Sequence, residues 1–173
     1  MKKKKPRDVI TIASHAPVLA AALSVAASGP VIELGGGAYS TPLLHWMCRA
    51  AGRDLLTLDS NPDWVKRLEI YRGEGHEVAY TPEMAEDRRL GERWALALAD
   101  GGQFERADCL SRLHRVPIVV VHDTEPEHAD AYPGMEAELA KYRFRLDVRI
   151  PLMETNQTSV VSDVRDPAAL LRV

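Results

Sequence analysis

The sequence predicts an α/β domain built on a mostly parallel, seven-stranded sheet with helices on both faces and an antiparallel hairpin at its C-terminal edge. Three observations carry this expectation. Short runs of β-branched and aliphatic residues alternate with amphipathic helical stretches from residue 31 onward, a pattern that calls for parallel pairing through right-handed crossovers. The first of these runs ends in consecutive glycines ahead of a helix. Near residue 142 the alternation breaks, and two extended segments follow one another with no helix between them.

The elements follow in order. Lys2, Lys3, Lys4, Lys5, Pro6 and Arg7 read as a disordered basic tail over residues 1–10, leaving one domain over 11–173. Ser14 and Pro17 look like a helix start, and Val18, Leu19, Ala22, Val25 and Ala26 recur at helical spacing until Gly29 and Pro30 stop them. Val31-Ile32-Glu33-Leu34 is a short buried strand running into the glycines. Thr41 as N-cap and Pro42 in the first turn open the next helix, with Leu43, Leu44, Trp46, Met47, Ala50 and Ala51 as its apolar face.

A second strand is expected over 54–59, then a helix capped by Asn61 and Pro62. The third strand falls near 77–80, the fourth over 94–99 ahead of Asp100, and the fifth over 117–121 ahead of His122 and Asp123. The helix between the last two places Phe104, Ala107, Leu110 and Leu113 on one face. Residues 142–150 alternate roughly, 151–157 form a loop and 158–161 are β-prone, giving the final hairpin.

Composition narrows the function classes. At 173 residues the chain is about one domain long, and a core of that size buries roughly two-thirds of the unfolded surface without staples. A net charge of -3 argues against general nucleic-acid binding by the folded body. Cys48 and Cys109 have no metal spacing and fall inside helical patterns, so they read as buried free thiols. No apolar run approaches the roughly 20 residues of a membrane span. Lysines ahead of the apolar stretch 18–28 imitate a secretory leader, yet Asp8, His15 and Pro17 interrupt it, so a cytoplasmic location is expected.

The central signal is Val31-Ile32-Glu33-Leu34-Gly35-Gly36-Gly37, a strand running into a glycine turn and then a helix. Glycines let the backbone turn sharply and let a ligand approach with no Cβ in the way, while the helix start offers unpaired N–H groups. Asp59 closes the next strand at a separation suited to a ribose-gripping carboxylate. The pair points to a nucleoside-type ligand. Glu33 decides which, because an acid beside the turn disfavours a pyrophosphate and welcomes an ammonium or sulfonium. Ser40 stands where a dinucleotide fingerprint carries its third glycine.

This stretch resembles motif I of the class I S-adenosylmethionine-dependent methyltransferases, in which an acid precedes a Gly-x-Gly turn; Glu33, Gly35 and Gly37 occupy those places. The order of elements is similar to that family over residues 30–163. The resemblance implies a Rossmann-like fold and S-adenosylmethionine as cofactor. It implies that Glu33 and the backbone of Gly35, Gly36 and Gly37 hold the amino acid end and Asp59 the ribose hydroxyls, with Ser40, Thr41, Ser60 and Asp100 completing the binding set. It further implies that adenine lies against Thr81-Pro82-Glu83-Met84. Replacing Gly35 with a bulky residue is expected to abolish cofactor binding and leave the fold intact.

Ligands bind beyond the carboxyl ends of strands in open parallel sheets, where Asp100, His122 and Asp123 fall. Some metal-dependent catechol-type methyltransferases place an acid at each of these two ends. The resemblance implies Asp100 and Asp123 as ligands for Mg2+, although Thr124 replaces the amide ligand expected next. Without metal, His122 and Asp123 are the catalytic candidates, His122 as general base. The structural alternative is that both hold loop backbone and orient Tyr132.

His15, His45 and His76 lie in separate elements with no partner spacing and read as surface or satisfied residues. Trp46, Trp64 and Trp94 read as core. No Gly-x-Ser-x-Gly elbow or P-loop is present. The leading expectation is an enzyme, a methyltransferase acting on an oxygen or nitrogen of a small-molecule acceptor. The alternatives are a non-catalytic nucleoside-binding protein, non-methyl chemistry on the same scaffold, and an NAD-dependent oxidoreductase, which Glu33 opposes. Family analogy adds a homodimer, and no membrane partner is expected.

Overall fold

A computed structural model describes residues 14–101, 105–149 and 157–172. The expected basic tail, Phe104 and the loop at 151–156 lie outside them. Helix α1 (Ala16–Val25) precedes β1 (Val31–Leu34), α2 (Ser40–Ala50), β2 (Leu55–Asp59), α3 (Pro62–Leu68) and β3 (His76–Tyr80). Then come β4 (Leu96–Ala99), α4 (Arg106–Arg112), β5 (Val119–His122), α5 (Met135–Leu139), β6 (Phe144–Arg149), β7 (Gln157–Ser162) and α6 (Pro167–Leu171).

These strands form one seven-stranded sheet in the order β3-β2-β1-β4-β5-β7-β6. Strands β1 to β5 pair in parallel, while β7 runs antiparallel to both β5 and β6. The chain reverses direction in space between β3 and β4, on either side of the glycine turn that follows β1. That reversal opens the crevice in which an open α/β sheet binds ligands.

Strand periodicity assigns the faces. Ile32, Leu34, Ala97, Ala99, Val119 and Val121 pack toward α4 and α5. Val31, Leu55, Leu96, Leu98 and Val120 pack toward α1, α2 and α6. Glu33, Thr57 and His122 share the parity of this second set, so three polar groups enter the sheet face beneath α1 and α2 near the strand ends. All three are buried.

Several local expectations are corrected. Ser14 does not cap α1: the N-cap position is His15 and has no side-chain capping bond, while Ser14 Oγ lies 2.9 Å from His122 Nε2. Thr41 is inside α2 rather than at its cap, because its hydroxyl is drawn down to Glu33. Trp46 is 62% exposed on the outer side of α2, whose buried residues are Ser40, Thr41, Leu44 and Cys48. The cap at Asn61 holds, its Oδ1 accepting from the Asp63 amide at 2.9 Å. Cys48 and Cys109 are buried free thiols. Among the described residues no helix is long and apolar enough to cross a membrane.

Candidate functional site

The glycine turn is built by a close backbone crossing. Gly35 has φ +86°, and a Cβ there would stand 2.1 Å from Gly101 Cα. The amides of Asp100 and Gly101 both donate to the Leu34 carbonyl, at 2.8 and 2.7 Å, so the ends of β1 and β4 are drawn together where only two glycines fit. This overturns the expectation that a bulky residue at Gly35 would spare the fold. Gly36 is also confined, since its Cβ would lie 2.2 Å from Leu68 Cδ1. At Gly37 the nearest contact is Ser40 Oγ at 3.0 Å.

Glu33 is fully buried beneath this turn. Its Oε2 accepts from Thr41 at 2.8 Å and from Thr57 at 2.7 Å, and the Thr41 hydroxyl accepts from the Gly37 amide at 3.0 Å. Its other oxygen, Oε1, has no hydrogen-bond partner within the protein, nor has the buried hydroxyl of Ser40. Burial pushes the Glu33 carboxyl up to about 7, against the opposing pull of the hydroxyls of Thr57 and Thr41, which bond it, and of Ser40, which stands near it without completing a hydrogen bond. A buried acid with an empty oxygen invites a cation or a strong donor.

Asp59 ties the two turns together. One of its oxygens accepts from the Gly36 amide at 2.8 Å and the other from the Asn61 amide at 2.7 Å. Burial raises its pKa, and those two amides oppose the rise. Each carboxylate oxygen retains a further lone pair, so the clamp leaves accepting capacity for ribose hydroxyls. Ser60 sits partly exposed between Asp59 and the cap. Thr81 and Met84, on the expected adenine loop, are buried, and Met84 belongs to the main core.

A polar chain leads from Glu33 toward the surface. Thr57 Oγ1 lies 2.9 Å from His76 Nε2, and His76 Nδ1 lies 2.9 Å from His45 Nδ1. Burial holds His76 down at about 4, so it is neutral near pH 7. With Thr57 donating to Glu33, His76 donates through Nε2–H and accepts at Nδ1 from His45, which sets every tautomer in the chain. His45 and His76, expected to be separate, are direct partners.

The ends of β4 and β5 carry a second polar group. The His122 Nδ1–H donates to Asp100 at 3.0 Å, and its Nε2 lies 3.4 Å from Asp123 Oδ1. Burial lowers the His122 pKa, but Asp100 and Asp123 outweigh it and leave the ring above its ordinary value. Burial likewise opposes ionisation of Asp100, yet His122, His15 and Arg106 hold it below the carboxylate range. Asp123 adopts φ +54°, a strained conformation for this residue, and accepts from the Tyr132 hydroxyl at 3.0 Å. The structural reading of Asp123 as an orienter of Tyr132 is thus realised. Asp100 and Asp123, the expected oxygen ligands for magnesium, are separated by the His122 ring.

Sequence reasoning missed Arg106, which is 4% exposed. It donates to the carbonyls of His122 at 2.6 Å, Asp100 at 2.9 Å and Gly101 at 3.2 Å, and stacks 4.0 Å above the Tyr132 ring. An arginine on the buried face of an amphipathic helix was the available signal. Beyond Tyr132 opens a cavity of about 660 Å3, lined in part by Glu125, Glu136, Asp147, Arg145 and Gln157.

No family model matches the chain, and no curated protein does. Solved structures do match. Human methyltransferase-like protein 13 in complex with SAH is 11% identical with a TM-score of 0.61, over 92% of this chain and 93% of that one. A mutant of MtNAS in complex with S-adenosylmethionine is 17% identical with a TM-score of 0.58, over 88% of this chain and 60% of that one. A probable spermidine synthase from Corynebacterium glutamicum is 11% identical with a TM-score of 0.60, over 84% of this chain and 64% of that one. The chain therefore spans about three-fifths of the length of MtNAS. Its fold is that of the class I S-adenosylmethionine-dependent methyltransferases.

Proposed function

We propose that this protein is an S-adenosylmethionine-dependent methyltransferase acting on an oxygen or nitrogen of a small acceptor. The observation that carries the reading is the unpartnered Oε1 of buried Glu33, with the unpartnered Ser40 hydroxyl in the same turn. An ammonium group satisfies both the charge and the missing donor. A pyrophosphate at the same place would meet a carboxylate instead. Similarity to proteins solved with S-adenosylmethionine and with SAH supports the choice of cofactor.

In this reading Glu33 and the glycine turn hold the amino acid end of the cofactor, and Asp59 takes the ribose hydroxyls. The bound cofactor supplies an electrophilic methyl carbon on its sulfonium. The protein's task is then chiefly to position the acceptor and exclude water. His122, made more basic by Asp100 and Asp123, takes the acceptor's proton, while Arg106 fixes the backbone that carries it.

A second reading, transfer of a different group from the same cofactor to an amine, takes as acceptor pocket the cavity beside Tyr132, whose wall includes Glu125 together with Glu136 and Asp147, the last two bridged by Arg145. Similarity to a probable spermidine synthase supports it. Incubation with methyl-labelled S-adenosylmethionine and a panel of small phenols and amines tests both. Label in the acceptor together with S-adenosylhomocysteine supports methyl transfer. Methylthioadenosine and an unlabelled adduct support the second reading. Neither product, from protein that binds the cofactor, overturns both and leaves a non-catalytic binder.

A further inference from the structure

His15 is 3% exposed, and neither ring nitrogen has a hydrogen-bond partner. A neutral imidazole carries one N–H and one lone pair, and both are desolvated here without compensation. The ring does not lie against apolar side chains alone: its centroid is 4.3 Å from that of His122. One ligand atom from each of His15, Asp100 and His122 lies within 4.8 Å of the others. These groups come from three elements, the turn before α1 and the ends of β4 and β5.

We propose that His15, Asp100 and His122 form a binding site for a borderline divalent transition ion, zinc in the first instance. Two imidazole nitrogens and one carboxylate oxygen are the donor set of such ions, whereas magnesium and calcium take oxygen cages. His122 is already oriented for the task. Its Nδ1 faces Asp100 at 3.0 Å, and its Nε2 faces Ser14 Oγ at 2.9 Å and Asp123 Oδ1 at 3.4 Å. With an ion between Nδ1 and Asp100, the Nε2–H is held by Asp123 and Ser14, the outer support that metal-bound histidines ordinarily have, and in that state His122 is a ligand and no longer the proton acceptor of the metal-free reading.

The spacing of the two strand-end ligands is fixed, because Arg106 grips the carbonyls of both Asp100 and His122. Its guanidinium stands 3.7 Å from the same Asp100 oxygen, beyond hydrogen-bonding distance, so the one hydrogen bond to that oxygen displaced when the ion arrives is that of His122 Nδ1–H. Three protein ligands leave a fourth tetrahedral position for water or an acceptor atom. This site is separate from the unpartnered Glu33 oxygen, and it stands or falls without the cofactor.

The test uses the full chain, stripped with chelator and given no S-adenosylmethionine. Titration with Zn2+ by calorimetry, and with Co2+ followed by its visible spectrum, should show one equivalent bound with a tetrahedral signature; Mg2+ should give no heat. His15→Ala should weaken Zn2+ binding by at least the roughly tenfold that losing an outer-shell partner costs, and His128→Ala should not. Absence of a stoichiometric site, or undiminished binding in a folded His15→Ala protein, overturns the proposal. Should that variant not fold, histidine-ring NMR of the natural chain decides: Zn2+ must perturb His15 and His122, and perturbation confined to other histidines contradicts the site.

Discussion

Gly35 and Gly101 meet across the ends of β1 and β4 so closely that a Cβ on the first would stand 2.1 Å from the Cα of the second. The glycine turn is therefore a packing device before it is a binding one. Gly35→Ala combines an overpacked contact with a side chain at φ +86° and should destabilise the protein by about 2–4 kcal/mol, read by denaturant unfolding. A variant of unchanged stability would show that the crossing relaxes easily.

The raised pKa of Glu33 carries a definite sign for stability. A carboxyl at about 7 in the folded protein and near 4.5 in the unfolded chain binds more protons when folded, so ionising it costs stability as pH rises from about 4.5 to 7. His15 and His76, both held down at about 4, act oppositely between 4 and 6.5 and mask the trend in the natural protein. Glu33→Gln removes the first contribution alone. The stability of the natural protein relative to Glu33→Gln should fall across that window by on the order of 3 kcal/mol. A flat difference would mean Glu33 is ionised throughout.

Cofactor binding should be linked to the same proton. If the ammonium of S-adenosylmethionine pairs with ionised Glu33, binding below pH 7 releases a proton, and affinity rises as pH approaches 7. Calorimetry in buffers of different ionisation enthalpy measures this directly. Heats independent of buffer at pH 6 would count against the pairing.

Arg106 serves both halves of the sheet top through three carbonyls and the Tyr132 ring. Lysine cannot reproduce the fork, so Arg106→Lys should lose about 2–4 kcal/mol of stability. The His122 ring should also move, visible in its NMR titration. A silent substitution would show that the strand ends hold themselves.

What could be read from the sequence was what is local. The strand, glycine turn and acid at 31–37 lie within seven residues, and Asn61 caps its own helix, so their chemistry is visible in order. The rest depends on sheet register. Thr57 reaches Glu33 only because β1 and β2 align Glu33 with Thr57, and Ser14 leaves its helix for a histidine 108 residues away. His45 and His76 pair across α2 and β3, which no spacing announces. Trp46 misled because an amphipathic pattern marks a face without saying how wide it is.

The most direct test of the account is calorimetric titration of S-adenosylmethionine into the natural protein and into Glu33→Gln, with circular dichroism to verify the fold. Saturable one-to-one binding is expected, weakening by about tenfold or more in the variant, the worth of a charge-assisted hydrogen bond. Equal affinity in both proteins, or no binding to the natural one, would contradict it.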